Sequence, residues 1–246
     1  MPLVSMLCLG LGWCIARALG LERAPTGAVI LATGFGSSSL LGFALIAEIF
    51  PGDRDAMAEA VVLSGLGVQP LLFTFGVLIA RHYGAAGHDR TALRDATLAY
   101  LRSPIFVALA AGLVIALLLE PDRHPVIVSV IDGLHVAGQA NIMLVLLSVA
   151  LALHFDRLGD IAPLAVAVGL VNLAVMPVLL WLTSRAIELE AWQTEVLVLE
   201  GAMPSAMLAV VLCDAYGADA RLASKLVLTT TLASAVTVPL MFTMLA

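Results

Sequence analysis

Eight apolar runs of roughly twenty residues, from 16 to 28 long, follow one another along this chain, and they leave little choice of fold. They cover positions 3–19, 26–50, 57–80, 104–119, 126–153, 161–183, 192–216 and 222–246. Each is long enough to cross the hydrocarbon of a bilayer as a helix. Hydrophobic residues make up 61% of the 246 and charged ones only 12%, more apolar side chain than a water-soluble interior of this size can hide. The expected fold is therefore an all-α membrane protein with eight transmembrane helices. A net charge of −6 with 12 Lys and Arg argues against nucleic-acid binding, which needs clustered basic surface. Cys8, Cys14 and Cys213 lack CxxC or metal-ligand spacing and read as small buried hydrophobes, so no metal or cofactor is expected. The first sixteen residues carry no charge, and Arg17 and Arg23 follow them. That order suits a span entering from outside rather than a cleaved leader.

Two of the runs are interrupted where a spanning helix should be most regular. Positions 200–207 read Glu-Gly-Ala-Met-Pro-Ser-Ala-Met, and positions 34–39 read Gly-Phe-Gly-Ser-Ser-Ser. Open backbone inside hydrocarbon is tolerated only where protein or a water-filled cavity covers it. Interruptions in two corresponding places point to the binding site of a secondary transporter.

The correspondence shows in the residues themselves. Pro70-Leu71-Leu72-Phe73-Thr74-Phe75 in the third run matches Pro239-Leu240-Met241-Phe242-Thr243-Met244 in the eighth. Gly34 falls opposite Gly201, and Asp53 opposite Asp219. Runs two and three thus pair with runs seven and eight, five spans later. Five is odd, so the two copies run oppositely through the membrane, as in the inverted repeats of many carriers. Residues 1–80 would hold a partial first repeat of three helices, with its crossover at 34–44. Residues 104–246 would hold a five-helix second repeat, with its crossover at 200–207. The expectation is an incomplete 3+5 inverted repeat with two crossing interrupted helices, and with two further helices before Met1.

Loop charges set an orientation. Arg17, Arg23, Arg81, Arg90, Arg94, Arg102, Arg157, Arg221 and Lys225 fall on one side, against Arg54, Arg123 and Arg185 on the other. The positive-inside rule makes the first side cytoplasmic and both termini external. The 81–103 stretch is then a cytoplasmic linker, either solvated or a short interfacial helix through Leu93, Tyr100 and Leu101.

The sequence resembles the auxin efflux carrier family, whose bacterial members include proposed malate and malonate permeases, within the wider bile-acid/auxin carrier superfamily. Gly201-Ala202-Met203-Pro204-Ser205-Ala206, Tyr216-Gly217-Ala218-Asp219, the run Leu228-Thr229-Thr230-Thr231-Leu232-Ala233-Ser234 and Pro239 look like that family's last two helices. Ser103-Pro104 looks like the Asn-Pro that opens its second repeat. Two departures stand at the first crossover: Ser37 occupies a position usually Asn, and Ala44 one usually Pro. That break is therefore expected to be the less open of the two. In the fifth span Gln139-Ala140-Asn141-Ile142 replaces a family Pro, and the family's first two helices have no counterpart in the chain. The resemblance implies alternating-access transport of a small organic anion, a mono- or dicarboxylate, in the cell membrane, and homodimerisation through a scaffold.

Site chemistry follows from the breaks. The half-helix after each one presents backbone N–H groups and the positive end of its dipole to an anion, and serines add hydroxyl donors without charge. The candidate substrate-binding residues are Gly36, Ser37, Ser38, Ser39, Asn141, Gly201, Met203, Pro204 and Ser205. The plainer reading of the Gly and Ser residues is close helix approach. Asp132, His135 and Gln139 share one helical face, and His titrates in the range useful for proton coupling. The plainer reading is that Asp132 and His135 reach the headgroups. Glu200, directly before the second break, is a further coupling candidate for a proton or cation. Two other functions compete with a carrier. One is an intramembrane serine hydrolase using Gly36-Ser37-Ser38 with His135 or His82; the other is a truncated, non-transporting membrane protein.

Overall fold

A computed structural model describes residues 1–84, 98, 101–102, 104–118, 129–130, 133–134, 137–138, 144, 147 and 158–245. Among the described residues the chain is helical, and its only extended pairing is one isolated antiparallel bridge. The helices are α1 (Pro2–Ala18), α2 (Arg23–Gly34), α3 (Ser38–Ile49), α4 (Arg54–Tyr83), α5 (Pro104–Leu118), α6 (Ala162–Ala186), α7 (Ala191–Gly201), α8 (Met207–Tyr216) and α9 (Ala220–Leu245). Most of the expected fifth span lies outside the described residues, as does most of the 81–103 linker.

Among the described residues three helices, α4, α6 and α9, are long and apolar enough to cross a membrane on their own. The pairs α2–α3 and α7–α8 are different. Each half is about 15–18 Å long at 1.5 Å per residue, half of a bilayer core, so the two halves must be stacked to cross it.

Local chemistry sets the helix ends. Pro2 opens α1, where its missing N–H costs nothing. Asp53 starts α4 by accepting from the amides of Asp55 (2.9 Å) and Ala56 (3.1 Å). Asp219 starts α9 in the same way, through the Leu222 amide at 2.9 Å. Gly217, at φ 76°, ends α8 in the left-handed conformation that favours Gly. Gly52, at φ 77°, takes the same conformation in the turn just before Asp53.

With lipid outside, apolar side chains gain little by turning inward, so packing relies on small residues and close approach. The largest buried cluster joins α1, α2, α4, α8 and α9 around Phe35, Leu31, Leu72 and Cys213. A second joins α3, α4, α7 and α9 through Ile46, Leu199 and Met203. A third sets α1 against α6 and α7 through Cys8, Met176 and Leu180. Large apolar side chains such as Leu3, Val211, Val236 and Leu240 face outward, the arrangement a bilayer favours and water does not. The two interrupted helices thus lie in the middle of the packed body, walled by α1, α4, α6 and α9.

Candidate functional site

Helix α2 stops at Gly34 and α3 starts at Ser38; α7 stops at Gly201 and α8 starts at Met207. The backbone is extended at Phe35 and at Ala206, and the two breaks meet. Gly36 bridges Ser205 in antiparallel fashion. The Ser37 amide donates to the Pro204 carbonyl at 2.7 Å, and the Ala206 amide to the Phe35 carbonyl at 2.8 Å. Two segments that would each expose bare polar backbone in hydrocarbon satisfy one another instead. The first break is the shorter, Phe35 to Ser37 against Ala202 to Ala206.

Close approach explains the glycine at the bridge. A Cβ on Gly36 would sit 3.2 Å from the Met203 carbonyl oxygen and 3.4 Å from its Cβ. A side chain there would push the two breaks apart.

Beyond the breaks, α3 and α8 begin without a side-chain cap on their first amides among the described residues. The two helix N-termini therefore keep backbone donors uncommitted to side chains on either side of the paired segments, the arrangement that suits an anion. Ser37, Ser38 and Ser205 are buried beside them, and their hydroxyls differ in what they do. Ser205 Oγ donates to the Ala32 carbonyl at 2.7 Å. Ser38 Oγ shares a 3.0 Å hydrogen bond with Ser64 Oγ of α4. The Ser37 hydroxyl is buried without a partner among the described residues. Ser39 is half-buried. Met203, Pro204 and Gly201 are buried, and a Cβ on Gly201 would collide with Leu180 of α6.

Glu200 is fully buried, and among the described residues neither carboxyl oxygen has a hydrogen-bond partner. It lies against the first turn of α3: a Cβ on Gly42 would come 2.6 Å from its Oε1 and 2.8 Å from its Oε2. The candidates Asp132, His135, Gln139 and Asn141 fall outside the described residues. His82, one proposed base, sits in the last turn of α4 with its ring edge-on to Tyr83.

Three participants escaped the sequence reading. Asn172 of α6 donates from Nδ2 to the Ala32 carbonyl at 2.8 Å and to Ser205 Oγ at 2.9 Å. Thr230 of α9 accepts from the Ser205 amide at 3.2 Å. Ser64 is the third. A signal for Asn172 existed, since it is the only amide side chain in the sixth apolar run, and a polar residue at mid-membrane defaults to a functional hypothesis. Ser64 and Thr230 carried no such signal, because hydroxyl residues satisfy themselves within any helix.

The family described as membrane transport protein matches residues 1–242 of this chain. An uncharacterized transporter of Methanocaldococcus jannaschii is 24% identical over 237 residues, covering 94% of this chain and 74% of the relative. Another, of Methanothermobacter thermautotrophicus, is 28% identical over 225 residues, covering 92% and 70%. No solved structure matches.

Proposed function

Because the chain belongs to the membrane transport protein family, we propose that it is a secondary carrier of small organic anions, mono- or dicarboxylates, working by alternating access. The observation that carries this reading is the mutual pairing of two helix breaks, each followed by a half-helix whose first amides no side chain caps. A carboxylate placed there would meet backbone N–H donors and the positive ends of two helix dipoles without a buried Lys or Arg. The Ser37 hydroxyl, buried and unpartnered, is a further donor for it. Glu200 is the coupling group. A bare carboxylate crossing the membrane interior is costly, so it exchanges a proton or a cation as the substrate moves.

Several pairs of like parts support two inverted halves. Asp53 and Asp219 cap α4 and α9 alike, and both helices carry an internal proline, Pro70 and Pro239. Ser38 bonds Ser64 of α4, and Ser205 bonds Thr230 of α9. The interrupted pairs run in opposite directions where they meet. An intramembrane hydrolase has less support: of its serines the Ser38 hydroxyl is committed to Ser64, and its base His82 sits in the last turn of α4 against Tyr83.

A thermal-shift screen of the purified protein against small carboxylates tests the assignment. One or more of them should raise the Tm, and Pro204→Ala should weaken that stabilisation. A flat response across mono-, di- and tricarboxylates would sink the anion reading.

A further inference from the structure

Ala32 is among the last four residues of α2, whose carbonyls have no amide ahead to bond within the helix. Two side chains from elsewhere supply the missing donors. Asn172 Nδ2 reaches that oxygen at 2.8 Å and Ser205 Oγ at 2.7 Å. The same Nδ2 also donates to Ser205 Oγ at 2.9 Å, while the Ser205 amide donates to Thr230 Oγ1 at 3.2 Å. One amide group thus joins α6 to the end of the first half-helix and to the second break. Asn172, Ser205 and Thr230 are all buried, at no more than 1% exposure, so water does not compete for these bonds.

Asn172 sits in the π-helical turn Val171–Val175 of α6. Such bulges displace a side chain from the regular helical face and recur at functional positions. Its Oδ1 is buried and unpartnered among the described residues. An Asn that leaves an acceptor bare is a poor choice for packing alone, since a similar-sized apolar residue would leave none. What the amide supplies here is its pair of directed N–H bonds.

We infer that Asn172 is a positioning residue: it holds the two breaks in register and, through Ser205, fixes the backbone that opens α8. It acts on an anion only through that backbone. The effect on transport rests on reading the paired breaks as the anion site; the effect on the breaks themselves does not.

Hydrogen–deuterium exchange of the full chain in nanodiscs separates the two. Having lost two buried hydrogen bonds, Asn172→Ala should speed exchange of the Ser37 and Ala206 amides by about fivefold or more. Exchange within α1 and along α9 should stay unchanged. Asn172→Ser, able to keep one of the bonds, should fall between, and it carries the test should Asn172→Ala not fold. Because the two residues share the Nδ2–Oγ bond, Asn172→Ala/Ser205→Ala should exchange faster than Asn172→Ala by less than the full increment that Ser205→Ala causes alone. Unchanged exchange at either break, or a full second increment in the double variant, overturns the inference. Carboxylate uptake by the same proteins in liposomes should then show a raised KM with kcat largely kept. Faster exchange with an unaltered KM would uphold Asn172 as the link and reject the breaks as the anion site.

Discussion

A carboxyl group is most costly where it has neither counter-charge nor donor, and Glu200 is in that position among the described residues. Gly42 shapes the place it occupies, because any larger residue there would strike the carboxyl oxygens. The group is held against the first turn of α3 while belonging to α7, so it touches both interrupted helices. A residue placed this way can report the state of one break to the other when it gains or loses a proton. Glu200→Gln keeps the shape and removes the titration. In liposomes, this variant should still bind carboxylate, but its uptake should no longer respond to an imposed pH gradient. Uptake that tracks the gradient as in the parent protein would remove Glu200 from the coupling step. At this scale the sequence was informative where chemistry and position coincided. A Glu beside Gly-Ala-Met-Pro inside an apolar run stands out by its cost alone. Asn172 stood out only as a polar residue in an apolar run; its role did not, because that depends on Ala32 and Ser205, residues 140 and 33 positions away.

The long helices α4 and α6 are not uniform rods. In α4, Pro70 offers no N–H to the preceding turn, and wide turns flank it at Leu63–Val68 and Leu72–Gly76. In α6 the π turn Val171–Val175 comes just before Pro177. That turn sets the phase between two packing faces. Leu164 and Val168 before it meet α1, α2 and α9, whereas Met176 and Leu180 after it meet α1 and α7. Deleting Ala174 would take one residue out of the turn and rotate one face against the other by about 100°. The expected result is a lower Tm and loss of carboxylate uptake. A deletion that left both unchanged would show that the wide turn has no part in the site. Helix ends were legible to within a few residues because they coincide with Pro, Gly, Asp and charge. The π turns were not, since an i→i+5 bond is decided by which neighbour a side chain must reach. The breaks were legible for the opposite reason: Gly, Ser and Pro weaken a helix whatever surrounds it.

Across the whole molecule, the charges sort to two ends. Arg23 donates to the His82 carbonyl, Arg81 lies 5.8 Å over the Tyr216 ring, and the Asp219 amide reaches the Ala24 carbonyl at 3.3 Å. These contacts gather the end of α4, the start of α2, the end of α8 and the start of α9 at one end of the body. Arg221 and Lys225 belong to that same start of α9, and Arg17 to the end of α1. At the opposite end, Trp192 of α7 packs with Phe50 and Met57, beside Asp53 and Arg54 at the start of α4. Arg185 lies in the last turn of α6, over the Trp181 ring at 5.6 Å. On the positive-inside rule we propose that the first end is cytoplasmic and the second external. Single cysteines placed in a variant lacking Cys8, Cys14 and Cys213 report this directly. In intact cells a membrane-impermeant maleimide should label Asp55→Cys at once and Arg221→Cys only after lysis. The reverse pattern would turn the molecule over. The two breaks would keep their pairing, but each half-helix would face the other compartment, and the direction of coupling through Glu200 would invert with it.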